Sequence, residues 1–223
     1  MLQNMKALIF DLDGTVVDSM GIWREIDIAY LKRHGHELPE DLQDSIEGMS
    51  FYDTAKYFQK RFQITDSLEQ IMDDWNQMAF QKYSEEVPLK EHIPTLLQYC
   101  KKHQIKIGLA TSNSRKLATE VLQQRGILQY FDGIMTGCGK LASKPAPDIY
   151  LACARELCVS PDECLVFEDL PAGIIAGNRA GMKTCAVFDE YSKHLDEEKH
   201  NLANYYINSY SEIDEIMINE DVL

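Results

Sequence analysis

Basic residues are scarce in this chain: 22 lysines and arginines stand against 36 aspartates and glutamates, a net charge of −14 over 223 residues. A surface of that sign repels polyanions, so a DNA or RNA partner is not expected. Long apolar runs are lacking too, and none approaches the roughly eighteen residues that span a bilayer. Only Met1-Leu2-Gln3-Asn4-Met5 precede Lys6 and the first apolar run, which leaves no room for a signal peptide. No membrane attachment is expected, and the cytoplasm is the expected location. The six cysteines, at 100, 138, 153, 158, 164 and 185, lack the paired spacing of a metal site. Several fall in apolar patterns and read as small reduced core residues. His34-Gly35-His36 follows a helix-like segment and precedes Pro39, so it reads as a solvated loop rather than a metal pair. Internal repeats and low-complexity linkers are absent.

What is present is concentrated at the start. Residues 6–19 form an apolar run that ends in two carboxylates one residue apart, Asp11 and Asp13, followed by Gly14-Thr15. Ala7 to Phe10 read as a strand buried on both faces, so both acids emerge at its carboxyl end, where open α/β sheets bind ligands. An Asp-Gly turn alone would be ordinary turn chemistry, and a calcium loop would place Gly sixth and Glu twelfth, which this run does not. Two adjacent acids call for a hard cation with oxygen ligands, Mg2+ above all, and Mg2+ with few protein ligands accompanies a substrate phosphate.

Three further stations follow in order: Ala110-Thr111-Ser112-Asn113 after the apolar Ile105–Leu109, Ser143-Lys144-Pro145-Ala146-Pro147-Asp148, and Val166-Phe167-Glu168-Asp169. With Asp11-Leu12-Asp13-Gly14-Thr15 these resemble the four motifs of the haloacid dehalogenase superfamily, in the branch of beta-phosphoglucomutase and small sugar-phosphate phosphatases, over nearly the whole chain. The chemistry suits the residues. Asp11, last on its strand, is placed to attack phosphorus and split one displacement into two. Asp13 is placed to protonate the leaving oxygen and then deprotonate water, and its backbone carbonyl could also face the metal. Most of the remaining work is surrounding the phosphoryl oxygens with donors and positive charge, a role that fits Thr111, Ser112, Asn113 and Lys144. Helix capping is the competing use of Ser112 or Ser114, solvation that of an isolated lysine, and an N-cap before Pro171 that of Asp169. The resemblance implies Asp169 as a direct metal ligand with Asp11 and Asp13, and Glu168 behind them, orienting waters or Lys144. Leu170 departs from the family, which usually has Ser or Thr there, so a hydroxyl contact to the metal site is expected to be missing.

Strands are expected at 5–11, 105–111, 133–136, 163–168, 183–188 and 204–208, with helices at Lys116 to Gln124, Asp148 to Leu157 and Gly173 to Ala180. This alternation builds a parallel sheet. An amphipathic last helix after Tyr210 should turn Ile213, Ile216 and Met217 inward. Between Asp18 and about Val87 only helical patterns occur, near 19–34, 40–47, 51–62 and 67–84. The expected fold is therefore α/β, a Rossmann-like parallel-sheet core (1–17 and 88–223) with an inserted all-helical cap (18–87), hinged at Thr15–Ser19 and Glu86–Leu89. Where beta-phosphoglucomutase carries a His and basic cap residues that grip a second phosphate, this chain has Trp23, Phe51 and Ala79 or Phe80. Met20, Ile22, Trp23, Phe51, Tyr52 and Met78 are then available to close on a less charged monophosphate, with the cap's own core the competing use of Ile22 and Met78. The expectation is a monomeric, Mg2+-dependent phosphatase that hydrolyses a small phosphorylated metabolite such as a sugar phosphate through an aspartyl phosphate. A sugar phosphate mutase and a non-catalytic phosphate-ligand binding protein are the alternatives.

Overall fold

A computed structural model describes residues 1–137 and 141–213. Cys138 and the Ile216 and Met217 of the expected last helix lie outside the described residues, while Ile213 is fully buried. The first strand, β1 (Ala7–Phe10), is buried at every residue, and four helices follow it without an intervening strand: α1 (Met20–Arg33), α2 (Leu42–Ile46), α3 (Phe51–Arg61) and α4 (Leu68–Glu85). The chain then alternates through α5 (Ile93–Lys102), β2 (Lys106–Thr111), α6 (Arg115–Gln124), β3 (Gly133–Thr136), α7 (Asp148–Leu157), β4 (Cys164–Glu168), α8 (Pro171–Arg179), β5 (Lys183–Val187), α9 (Asp196–Leu202) and β6 (Tyr205–Ile207).

The strands form one parallel sheet in the order β3-β2-β1-β4-β5-β6. The order reverses at β1, so the crevice where such sheets take ligands opens at its carboxyl end. Alternation along the strands splits the core. Leu8, Phe10, Leu165 and Phe167 face one way with α5, α6 and the inserted helices, and Ala7, Ile9 and Val166 the other way against α7 and α8. Phe10 and Phe167 stack at 4.9 Å directly beneath the acids. Burying each such ring contributes roughly 1.5–3 kcal/mol.

The inserted helices hold together around aromatic rings: Phe58 lies 5.0 Å and Tyr30 5.5 Å from Trp75. Ser50 and Ser67 cap α3 and α4, accepting from the amides of Asp53 (3.1 Å) and Gln70 (3.2 Å). Ser19, at the corresponding place before α1, makes no capping bond; its hydroxyl is used elsewhere. The two chain crossings between sheet and helices run side by side, with Asp18 N–H donating to Pro88 O (3.0 Å) and Lys90 N–H to Val16 O (2.9 Å). The Phe51 amide donates to the Ser112 carbonyl at 2.9 Å, which seats the start of α3 over the loop that follows β2.

Candidate active site

Asp11 extends β1 by one residue, its amide donating to Phe167 O at 3.0 Å. Glu168 ends β4 on the neighbouring strand. These parallel strands deliver the two carboxylates to one edge, and Lys144 reaches between them: its Nζ donates to Asp11 Oδ1 at 2.7 Å and to Glu168 Oε1 at 2.5 Å. The lysine is 7 % exposed, which removes the solvated-surface reading. Tyr150 OH also donates to Glu168 Oε1 (3.0 Å), and Glu168 Oε2 accepts from the amides of Asp169 (3.0 Å) and Leu170 (3.1 Å). Burial alone would lower the Lys144 pKa, but the carboxylates of Asp11 and Glu168 outweigh it and hold the ammonium well above its ordinary range.

Asp169 is fully buried. Thr15 Oγ1 donates to its Oδ1 at 3.1 Å, Ser192 Oγ to its backbone carbonyl at 2.9 Å, and among the described residues its Oδ2 has no partner. The helix-cap use of Asp169 is not realised, since Leu170 occupies the N-cap position of α8. The hydroxyl expected to be missing at Leu170 is supplied to Asp169 from elsewhere, by Thr15 and Ser192. Gly14 makes the close approach possible. A Cβ there would lie 2.3 Å from Asp169 Oδ2, and its φ of +79° is one that glycine adopts freely. Gly173 leaves room for Glu168 in the same way, with a Cβ falling 1.7 Å from Oε1.

Oxygens of Asp11, Glu168 and Asp169 all lie within 4.8 Å of one another. Burial first, then the neighbouring carboxylates, push Asp11 up to about 8, against the pull of Lys144, and push Asp169 well up. Three buried acids facing one ammonium, with one carboxylate oxygen unpartnered, fit a divalent cation. Glu168, expected behind the ligands, thus offers an oxygen inside the group.

Asp13 does not join that group through its carboxylate. Its Oδ1 accepts from Ser19 Oγ (2.5 Å), Trp23 Nε1 (3.2 Å) and Tyr83 OH, and its Oδ2 accepts from Asn113 Nδ2 (2.9 Å). Ser19 is thereby diverted from capping α1, and two of the four donors ride on α1 and α4. Thr111 Oγ1 accepts from the Asn113 amide (3.0 Å), and Ser114 caps α6 by accepting from the Leu117 amide (3.3 Å). Of the two serines open to capping, Ser114 takes that role and Ser112 lines the cavity.

Asp11, Asp13, Thr111, Ser112, Asn113, Lys144 and Glu168 all line one cavity of about 230 Å³ between the sheet edge and the helical insert. Met20, Trp23 and Phe51 form part of its wall. Tyr52, one helical step from Phe51, is turned instead to a separate depression with Met72 and Asn76. Ile22 and Met78 pack on the core, Ala79 is buried in it, and Phe80 lies under Lys116 on the outside. Sequence reasoning missed Thr15, Ser19, Tyr83 and Tyr150 as partners of the acids. Thr15 stands in the first motif but without an assigned role, the other three carry no local motif, and only the fold brings Tyr83 and Tyr150 to residues 70 and 18 positions away. His34 and His36 lie against Tyr30 and Phe62, away from this cavity.

Haloacid dehalogenase-like hydrolases match the chain over residues 8–187. The chain is 30 % identical over 179 residues to the "Phosphorylated carbohydrates phosphatase" of Thermotoga maritima, covering 80 % of this chain and 83 % of that one. It is 33 % identical over 187 residues to the beta-phosphoglucomutase of Bacillus subtilis, covering 80 % and 81 %. CbbY of Rhodobacter sphaeroides, crystallised with phosphate, shares the fold with a TM-score of 0.84 at 22 % identity, over 94 % of this chain and 96 % of that one. By these matches the chain belongs to the haloacid dehalogenase-like hydrolases.

Proposed function

We propose that the protein is a Mg2+-dependent phosphomonoesterase that hydrolyses a small phosphorylated metabolite, a sugar monophosphate by preference, through an aspartyl phosphate on Asp11. The observation that carries this reading is the convergence of Asp11, Lys144 and Glu168 at one cavity edge with Asp13 beside them, and with an oxygen of the buried Asp169 within 4.8 Å of those of Asp11 and Glu168. In the first half-reaction an Asp11 oxygen bonds to phosphorus as the ester P–O bond breaks, and Asp13 gives its proton to the departing oxygen. In the second, Asp13 takes a proton from water as the water oxygen bonds to phosphorus and the Asp11–phosphorus bond breaks. Lys144 and the donors of Thr111, Ser112 and Asn113 surround the phosphoryl oxygens, where preorganised charge contributes most.

Asp11 and Asp169 would hold the Mg2+, with the main-chain oxygen of Asp13 and with Glu168 fixed beside them; the ion would neutralise charge on the transferring group. Residues 18–87 act as the cap, hinged at Thr15–Ser19 and Glu86–Leu89. Because Trp23 and Tyr83 belong to it, opening and closing would change the partners of Asp13 as well as admit water and substrate.

The cap side of the cavity favours hydrolysis over mutase chemistry. Asp27, Asp44 and Glu47 line it against Arg24, a poor grip for a second phosphate. The test is phosphate release from a panel of sugar, polyol and nucleotide monophosphates with and without Mg2+, with Asp11→Asn as control. Release that needs both the ion and Asp11 supports the proposal. Isomerisation of glucose phosphates on addition of a bisphosphate, without release, would establish the mutase instead.

A further inference from the structure

The wall of the cavity contributed by the inserted helices holds a polar pair that the hydrolytic steps do not use. Asp27, on α1, is 5 % exposed and lines the cavity, as does Gln43 on α2. Gln43 Nε2 donates to Asp27 Oδ2 at 3.0 Å. Among the described residues this is the only hydrogen bond made by the Asp27 carboxyl, and no lysine or arginine pairs with it. A carboxylate buried without a cation is costly to the fold unless hydrogen-bonded, and one amide donor meets only part of its capacity. Trp75 lines the same wall, and among the described residues its buried Nε1 donor has no partner. The apolar rings of Trp23 and Phe51 complete this side, the mixture of flat apolar surface and a few polar groups typical of small-molecule sites.

We propose that Asp27 and Gln43 select the substrate by hydrogen-bonding adjacent hydroxyls on the body of a polyhydroxylated monophosphate, a sugar or polyol phosphate. The inference rests on the phosphomonoesterase reading and deepens it. A carboxyl beside a carboxamide offers both acceptors and donors, which is what a pair of hydroxyls needs. Burial also pushes the Asp27 carboxyl up to about 7, against the Gln43 bond, so near neutrality the group is suited to a neutral hydroxyl rather than to a cation. A site built to bond a hydroxyl discriminates strongly against ligands that lack one, because its own polar groups are then left unpaired.

The test compares kcat/KM for a sugar monophosphate with kcat/KM for p-nitrophenyl phosphate, whose body has no hydroxyl, in wild type, Asp27→Leu, Gln43→Leu and Asp27→Asn, all with Mg2+. Loss of a hydrogen bond to a hydroxyl predicts that the sugar-to-nitrophenyl ratio falls by about 10- to 100-fold in Asp27→Leu and Gln43→Leu. Asp27→Asn keeps an acceptor and should keep most of the ratio. Equal losses on both substrates would overturn the proposal and leave the pair as a tether between α1 and α2. Where Asp27→Leu fails to fold, Gln43→Leu and Asp27→Asn carry the comparison. If wild type hydrolyses neither compound, the phosphomonoesterase reading fails by itself. Calorimetric binding of the sugar monophosphate to Asp11→Asn then still reads the pair: about tenfold weaker binding on adding Gln43→Leu sustains it, and unchanged binding overturns it.

Discussion

The cavity has two sides made by different means. On the sheet side, Asp11 and Glu168 stand at the ends of adjacent parallel strands whose register fixes their spacing to each other, and Lys144, from the loop ahead of α7, is held between them by two hydrogen bonds. On the cap side, Trp23 and Asp27 come from α1 and Gln43 from α2, and the two helices meet here through the Gln43–Asp27 hydrogen bond and side-chain packing. A strand end over a buried sheet cannot shift without disturbing the core, whereas helix faces can be re-lined with little effect on the fold. The sheet side therefore suits chemistry that must stay constant, and the cap side suits the choice of substrate. Asp13 belongs to both, since it sits on the loop after β1 yet accepts three of its four hydrogen bonds from residues 18–87, namely Ser19, Trp23 and Tyr83.

If the sheet side holds the reaction, Asp11→Asn should lower kcat by about 10³-fold or more on every monophosphate tested, measured by phosphate release. A loss confined to some substrates would break the division. Lys144→Met leaves Asp11 and Glu168 buried without their counter-charge. In metal-free buffer it should cost about 3–5 kcal/mol of unfolding free energy, read from urea denaturation, with part restored by adding Glu168→Gln. Tyr83→Phe and Trp23→Phe test the link between the sides: each removes one donor from Asp13 and should reduce kcat by about tenfold, and a change in KM alone would place both residues wholly on the selecting side. The smallest effect is a pH dependence on the cap side. The Asp27 carboxyl is raised to about 7 by burial, so the folded state holds its proton more tightly than the unfolded chain does. Its contribution to stability is present below the ordinary carboxylate pKa and is lost as pH rises through about 7. Asp27→Asn should consequently raise Tm more at pH 8 than at pH 5, on the order of 1–3 kcal/mol in stability, measured by calorimetry at both values.

The same division governs what could be read from the residues. The strands were legible because a strand buried on both faces is a continuous apolar run, and Ala7–Phe10, Lys106–Thr111 and Cys164–Glu168 each end in the polar groups that make the site. The helices of the insert were legible from their periodicity to within a residue or two, and the N-caps Ser50 and Ser67 fix the starts of α3 and α4. Trp23 could be named as a cavity wall, but not as a donor to Asp13. The place of Tyr83 depends on how α4 lies over the loop after β1, and no local pattern encodes that. Tyr52 does not line the main cavity: one residue along a helix is a turn of about 100°, and only Phe51 reaches both that cavity and the depression beside Tyr52. The hydroxyls that do reach Asp169, from Thr15 to its carboxylate and from Ser192 to its main-chain carbonyl, come from residues 154 and 23 positions away, which the residue at 170 could not disclose.

The most direct test of the central claim is rapid-quench labelling with a sugar monophosphate carrying 32P in its phosphate, in the presence of Mg2+. The account predicts transient radioactivity on the wild-type chain that is released by hydroxylamine, maps to the peptide containing Asp11, and is absent from Asp11→Asn. Turnover with no label on the chain, or label that persists in Asp11→Asn, would contradict it.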